Sequence, residues 1–116
     1  MGAIDEANNR YCSSCTGETL ELVAPGVKIK STRLGGSYAY LSATSAASPH
    51  VAGAAALLIA SGVTDNNDIR QILQDTAEDL GISGWDSQYG YGLVNAAEAL
   101  AIAALFTTAS GDEESK

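Results

Sequence analysis

One stretch limits what this chain can fold into: Ser42-Ala43-Thr44-Ser45-Ala46-Ala47-Ser48-Pro49-His50-Val51-Ala52-Gly53, running straight into Ala54-Ala55-Ala56-Leu57-Leu58-Ile59-Ala60. Ser48 followed by Pro49 is a helix-start pair, because a Ser side chain accepts a bond from an orphan backbone N–H and Pro is tolerated in the first turn. From Val51 to Ala60 the residues are apolar all round, unlike those of a surface helix. The pattern predicts a tight loop opening a helix that is covered on every side. The run is too short to span a bilayer, so its cover should be protein.

Whatever supplies that cover has little chain to do it with. At 116 residues the sequence is one domain at most, long enough for a core. Its 46% hydrophobic content and clear turn punctuation fit a globular chain, and a formal net charge of -8 argues against nucleic-acid and anionic-membrane partners. The opening Met1-Gly2-Ala3-Ile4-Asp5 has neither a basic nor a long apolar region, so no signal peptide is expected in it.

Elements follow in order. Leu20-Glu21-Leu22-Val23 alternates as a short strand does, and Ala24-Pro25-Gly26 stops it. Val27 to Thr32 alternates again, Gly35-Gly36 offers a turn, and Ser37 to Leu41 returns, which predicts a hairpin delivering the chain to Ser45. After Ser61-Gly62, residues Thr64 to Asn67 can cap a second helix. Ile69, Ile72, Leu73, Ala77 and Leu80 form its apolar face, and Gly81 is its expected stop. Asn95 with Glu98 makes a capping box for a last helix from Ala96 to about Leu105. Residues 110–116 read as a disordered acidic tail, which leaves 1–109 as the folded part.

Two motifs carry a resemblance. Thr44-Ser45-x-Ala47-Ser48-Pro49-His50-Val51-Ala52-Gly53 resembles the nucleophile motif of the subtilisin family of serine proteases, and Gly90-Tyr91-Gly92-Leu93-Val94-Asn95-Ala96 is similar to a signature near the C-terminus of that family. Gly2-Ala3-Ile4-Asp5 and Leu22-Val23-Ala24-Pro25-Gly26-Val27 match further family segments at fitting spacing, so the resemblance runs from Gly2 to about Ala99. It implies an α/β fold: the C-terminal part of a subtilisin-like domain, with short strands and a hairpin packed around a buried central helix and two further helices. It also implies a catalytic Ser45 whose backbone N–H is one donor of the oxyanion hole. Leu41, Ser42 and Thr44 become candidate substrate-binding residues, the alternative for Leu41 and Ser42 being that they merely finish a strand.

The implied reaction is hydrolysis of a peptide bond through an acyl-enzyme, on peptide or protein substrates, in an extracellular setting. A Ser nucleophile needs a base to take its proton and a third group to orient that base. His50 is the one histidine, and five residues on a helix place it about 140° around and about 7.5 Å along from Ser45, out of hydrogen-bond reach. In the family the His of Ser-Pro-His is likewise structural, and the triad Asp and His come from earlier segments that nothing here matches. The chain is therefore expected to be inactive unless the N-terminal part of such a protease completes it. The alternative is a non-catalytic structural subdomain, excised or engineered.

Ala43 stands where the family has Gly, and Ala46 where it has Met. Both changes fit an excised or engineered segment. At position 43 the expectation is a negative φ, with Ala43→Gly destabilising by roughly 0.5–1 kcal/mol. Cys12-Ser13-Ser14-Cys15 allows a local disulfide, two idle thiols or a redox pair; a zinc site would need about four ligands and finds too few. No cofactor is assigned. Calcium is common in the family, yet only Glu21 lies near a segment that binds a weak cation there.

Overall fold

The computed structural model describes residues 1–11, 14 and 16–114, with side chains as far as residue 105. Cys12 and Cys15, and with them the readings of the Cys-x-x-Cys pair, lie outside the described residues. The architecture is α/β, with three helices and two small two-stranded sheets.

Strand β1 (Gly2–Ile4) pairs in parallel with β2 (Val23–Pro25), Ala3 opposite Ala24. Both strands are short and apolar, as strands covered on both faces are. The outer edge of β1 is closed by its own loop, where Ala3 N–H donates to Ser14 Oγ (3.0 Å) and Tyr11 N–H to Ala3 O (2.8 Å). On the other side, Leu93 adds a parallel bridge to Val23 and an antiparallel one to Glu78. The predicted hairpin is present as β3 (Ile29–Arg33) and β4 (Ser37–Leu41), antiparallel, with Ile29 opposite Leu41 and Arg33 opposite Ser37.

Helix α1 (Thr44–Ala60) crosses β1 and β2, and α2 (Asn66–Thr76) and α3 (Ala96–Glu114) pack against it. Leu22, Leu58, Val63, Ile69, Ile72, Leu73 and Ala103 form the main core, while Ala3, Ala24 and Ala47 make a second, smaller contact where α1 touches the sheet. Three alanines at that contact let the backbones approach closely. Each of the larger aliphatic side chains in the main core contributes roughly 1.5–3 kcal/mol by leaving water.

Several expectations change, among them the strand expected at Leu20 to Val23, which forms instead at Val23–Pro25. Helix α1 begins at Thr44, not at Ser48-Pro49, so Pro49 sits inside the helix. The earlier start follows from Ala43, whose carbonyl accepts from Ala46 N–H (3.0 Å) and Ala47 N–H (3.3 Å) and whose N–H donates to Gly26 O (2.7 Å). Nor is α1 buried on every side: Ala46, Ala47, Ala54 and Leu58 are buried, but Leu57 is 46% and Ile59 54% exposed. The sheet and the two other helices occupy only part of its circumference. Finally, α2 ends at Thr76 rather than at Gly81, because Glu78 leaves the helix to exchange two 2.8 Å backbone bonds with Leu93.

The N-terminal ends of α2 and α3 follow local chemistry. Asp65 caps α2 by accepting from Asn67 N–H (2.8 Å), and Asn95 Oδ1 accepts from Glu98 N–H (3.0 Å) at the start of α3. Helix α3 runs on through Glu114, past the expected end near Leu105. Among the described residues no helix is long and apolar enough to cross a membrane.

Candidate active site

The hairpin and α1 meet at Ser45. This residue is exposed at the second position of the helix, and it lines a cavity of about 280 Å³ with Ile29, Ser31, Leu41, Ala46, Pro49 and His50. A larger cleft of about 540 Å³, bounded by Glu18, Leu20, Arg70, Trp85 and Tyr91, lies elsewhere and does not include Ser45. The smaller cavity is the chemically interesting one because it opens at a helix N-terminus.

Thr44 and Ser45 occupy the first two helical positions, where N–H groups have no partner within the helix. Ala43 offers no side-chain cap, and the first turn carries no acidic residue. The positive end of the helix dipole is therefore uncompensated beside the Ser45 hydroxyl. An anion forming next to Oγ would meet backbone donors held by the helix, the arrangement that stabilises a tetrahedral oxyanion.

The turn before Ser45 is tied down by two bonds to the segment after β2. Besides the bond from Ala43 N–H to Gly26 O, Lys28 N–H donates to Ser42 Oγ (2.8 Å). Of the candidate substrate-binding residues, the structure brings Leu41 to the cavity beside Ser45. Ser42 Oγ accepts from Lys28 N–H, and neither Ser42 nor the half-buried Thr44 lines the cavity. Ile29 and Ser31 carry no motif of their own. The hairpin register held the signal, since Ile29 opposite Leu41 puts both on one face of the ribbon.

His50 lines the same cavity as Ser45 and is held by the helix backbone. Its Nδ1 lies 3.0 Å from Ala46 O, and since a carbonyl only accepts, Nδ1 carries the proton and donates. Glu21 is engaged by Arg70 in an ion pair. No group of three His, Cys, Asp or Glu among the described residues could hold a metal ion.

Ala43 corrects the expectation made for it. Its φ is 152° and its ψ 179°, a region that is essentially reserved for glycine. The reason is geometric: the residue must bond Gly26 and at the same time present its carbonyl to two helical N–H groups. The strain costs about 1–3 kcal/mol for a residue with a Cβ, against about 0.4–1 kcal/mol of unfolded-state entropy that Gly would add. Ala43→Gly should therefore stabilise the chain by about 1 kcal/mol, seen as a rise of roughly 4 °C in a thermal melt. A fall in melting temperature would contradict this geometry.

The model of the subtilase family matches residues 1–92, and the chain belongs to that family. Over 97 residues it is 48% identical to subtilisin BL of Lederbergia lenta, covering 83% of this chain and 35% of that protein. It is 46% identical over 96 residues to subtilisin of Bacillus pumilus (82% and 34%), and 45% identical over 100 residues to the thermophilic serine proteinase of Bacillus sp. strain AK1 (86% and 24%). The chain thus spans about a quarter to a third of the length of these relatives.

Proposed function

We propose that this chain is the nucleophile-bearing part of a subtilisin-like serine endopeptidase, acting on peptide or protein substrates outside the cell once the rest of the catalytic domain is supplied. The observation that carries this reading is Ser45, exposed beside a cavity at an uncapped helix N-terminus, in a chain of the subtilase family. Ser45 Oγ would attack the scissile carbonyl while a base on the complementing segment takes its proton. The new oxyanion would rest on the Ser45 N–H, the amine product would leave with a proton from the same base, and water would release the acyl group.

This reading takes the base and its orienting group from the complementing segment, since the chain's one histidine follows Ser45 by five residues on the same helix and is held through Nδ1 by Ala46 O. The uncovered faces of Leu57 and Ile59 agree with a chain that packs against further protein. The same histidine geometry also favours a second reading, a non-catalytic excised or engineered structural subdomain.

Hydrolysis of a chromogenic peptide anilide separates the two. The chain alone should show no activity above buffer. Mixed with the N-terminal segment of a subtilase that carries the triad Asp and His, it should gain activity that Ser45→Ala abolishes. Activity of the chain alone, or activity of the mixture that survives Ser45→Ala, would overturn the endopeptidase reading. A mixture that associates but stays inactive would favour the structural one.

A further inference from the structure

Charge is distributed very unevenly along this sequence. Although the chain carries fourteen acidic residues against six basic ones, no Asp or Glu occurs anywhere from Leu22 to Thr64, while Lys28, Lys30 and Arg33 all fall within that span. The hairpin and the first turns of α1 therefore form a cationic region on an otherwise acidic molecule.

The three cations are not equivalent. Lys28 lies beside Asp5 and Glu6, which border a depression with it. Lys30 sits on the outer face of the hairpin with its ammonium 5.2 Å from the centre of the Tyr38 ring. Arg33 differs from both. Strand alternation puts Ile29, Ser31 and Arg33 on one face, and Ile29 and Ser31 line the Ser45 cavity. Its cross-strand neighbour is the uncharged Ser37, and the only ion pair among the described residues is Glu21 with Arg70. Arg33 is exposed at the far end of the ribbon face that begins at the cavity.

We infer that this face is a specificity subsite for an acidic residue of a peptide, with Arg33 as the group that reads it. The inference rests on the endopeptidase reading, since a peptide must lie beside Ser45 for the subsite to matter. From Ile29 to Arg33 is about 13 Å along the strand, the length of about four residues of an extended peptide at the same rise. An aliphatic side chain of that peptide would meet Ile29 and Leu41, and a carboxylate three or four residues further on would reach the guanidinium, which can hold it with two parallel N–H bonds. At about 0.15 M salt the Debye length is about 8 Å, so the acidity of the remaining surface is largely screened and the local cation decides.

The test is binding, read without catalysis. The 116-residue chain is titrated with the capped hexapeptide Ac-Ala-Leu-Ala-Ala-Glu-Glu-NH2 and with its Lys-Lys twin, following backbone amide shifts of Ser31, Arg33, Leu41 and Ser45. The acidic peptide should bind about three- to ten-fold more tightly than its twin, the range expected when one exposed attraction is exchanged for one repulsion. Arg33→Glu should invert the preference and Arg33→Gln should erase it, with unchanged amide shifts at Lys30 and Tyr40 showing an intact hairpin. Equal shifts with both peptides, or an acidic preference that survives Arg33→Glu, would overturn the inference. The endopeptidase reading is tested separately by the chemistry of Ser45, which does not involve Arg33.

Discussion

Gly92→Ala should remove most of the folding stability of this chain and lower its melting temperature far below that of the parent. Gly92 has a φ of +125°, and a Cβ there would be driven into the Glu78 carbonyl, 2.7 Å from its carbon. Nothing nearby can move cheaply, because the obstacle is backbone held in place from both sides. Leu93 N–H donates to Glu78 O (2.8 Å), Glu78 N–H to Leu93 O (2.8 Å), Val23 N–H to Gly92 O (2.9 Å) and Val94 N–H to Val23 O (3.0 Å).

This joint locks β2 to the segment that ends α2 and begins α3, so yielding there separates the sheet from two helices. Backbone strain of about 1–3 kcal/mol, overpacking of a similar size and about 1 kcal/mol for each lost bond add to about 4 kcal/mol or more. That is most of the stability of a marginal domain. Gly84→Ala supplies the control: its φ is also positive, +81°, but no atom lies within 4 Å of the new Cβ. It should cost only about 1 kcal/mol. A Gly92→Ala protein that melts like the Gly84→Ala protein would show that the joint is not rigid.

What could be read from the sequence was what local chemistry decides. The β3–β4 hairpin follows from alternation around Gly35-Gly36, the start of α2 from Asp65, and the start of α3 from Asn95, each within a few residues of its cause. What could not be read depends on distant partners. The start of α1 moved because Ala43 bonds Gly26, seventeen positions away, and the end of α2 moved because Glu78 pairs with Leu93. Neither partner leaves a trace in helical periodicity.

The apolar run of α1 misled in another way. Its composition states how much cover the helix can use, while the structure shows how much this chain supplies, and Leu57 and Ile59 measure the difference. At the site, Ser45 of the motif lines the cavity, while Ile29 and Ser31 reach it through strand register alone. Ser42, adjacent in sequence to both Leu41 and the motif, accepts a bond from Lys28 N–H.

Labelling by a peptidyl phosphonate, mapped by mass spectrometry of the digested adduct, tests the role of Ser45 most directly. The reagent phosphonylates a serine whose proton is being removed while its oxyanion is stabilised, so it reports both functions at once. In the isolated 116-residue chain the one histidine, His50, follows Ser45 by five residues on α1, about 140° around an ideal helix, and donates its Nδ1 proton to Ala46 O. The expected result is no adduct on the chain alone, and close to one adduct per chain, on Ser45, after addition of the N-terminal subtilase segment with its Asp and His. An adduct on Ser45 without that segment, or an adduct on any other residue of this chain with it, would contradict the assignment of Ser45 as a nucleophile waiting for its base.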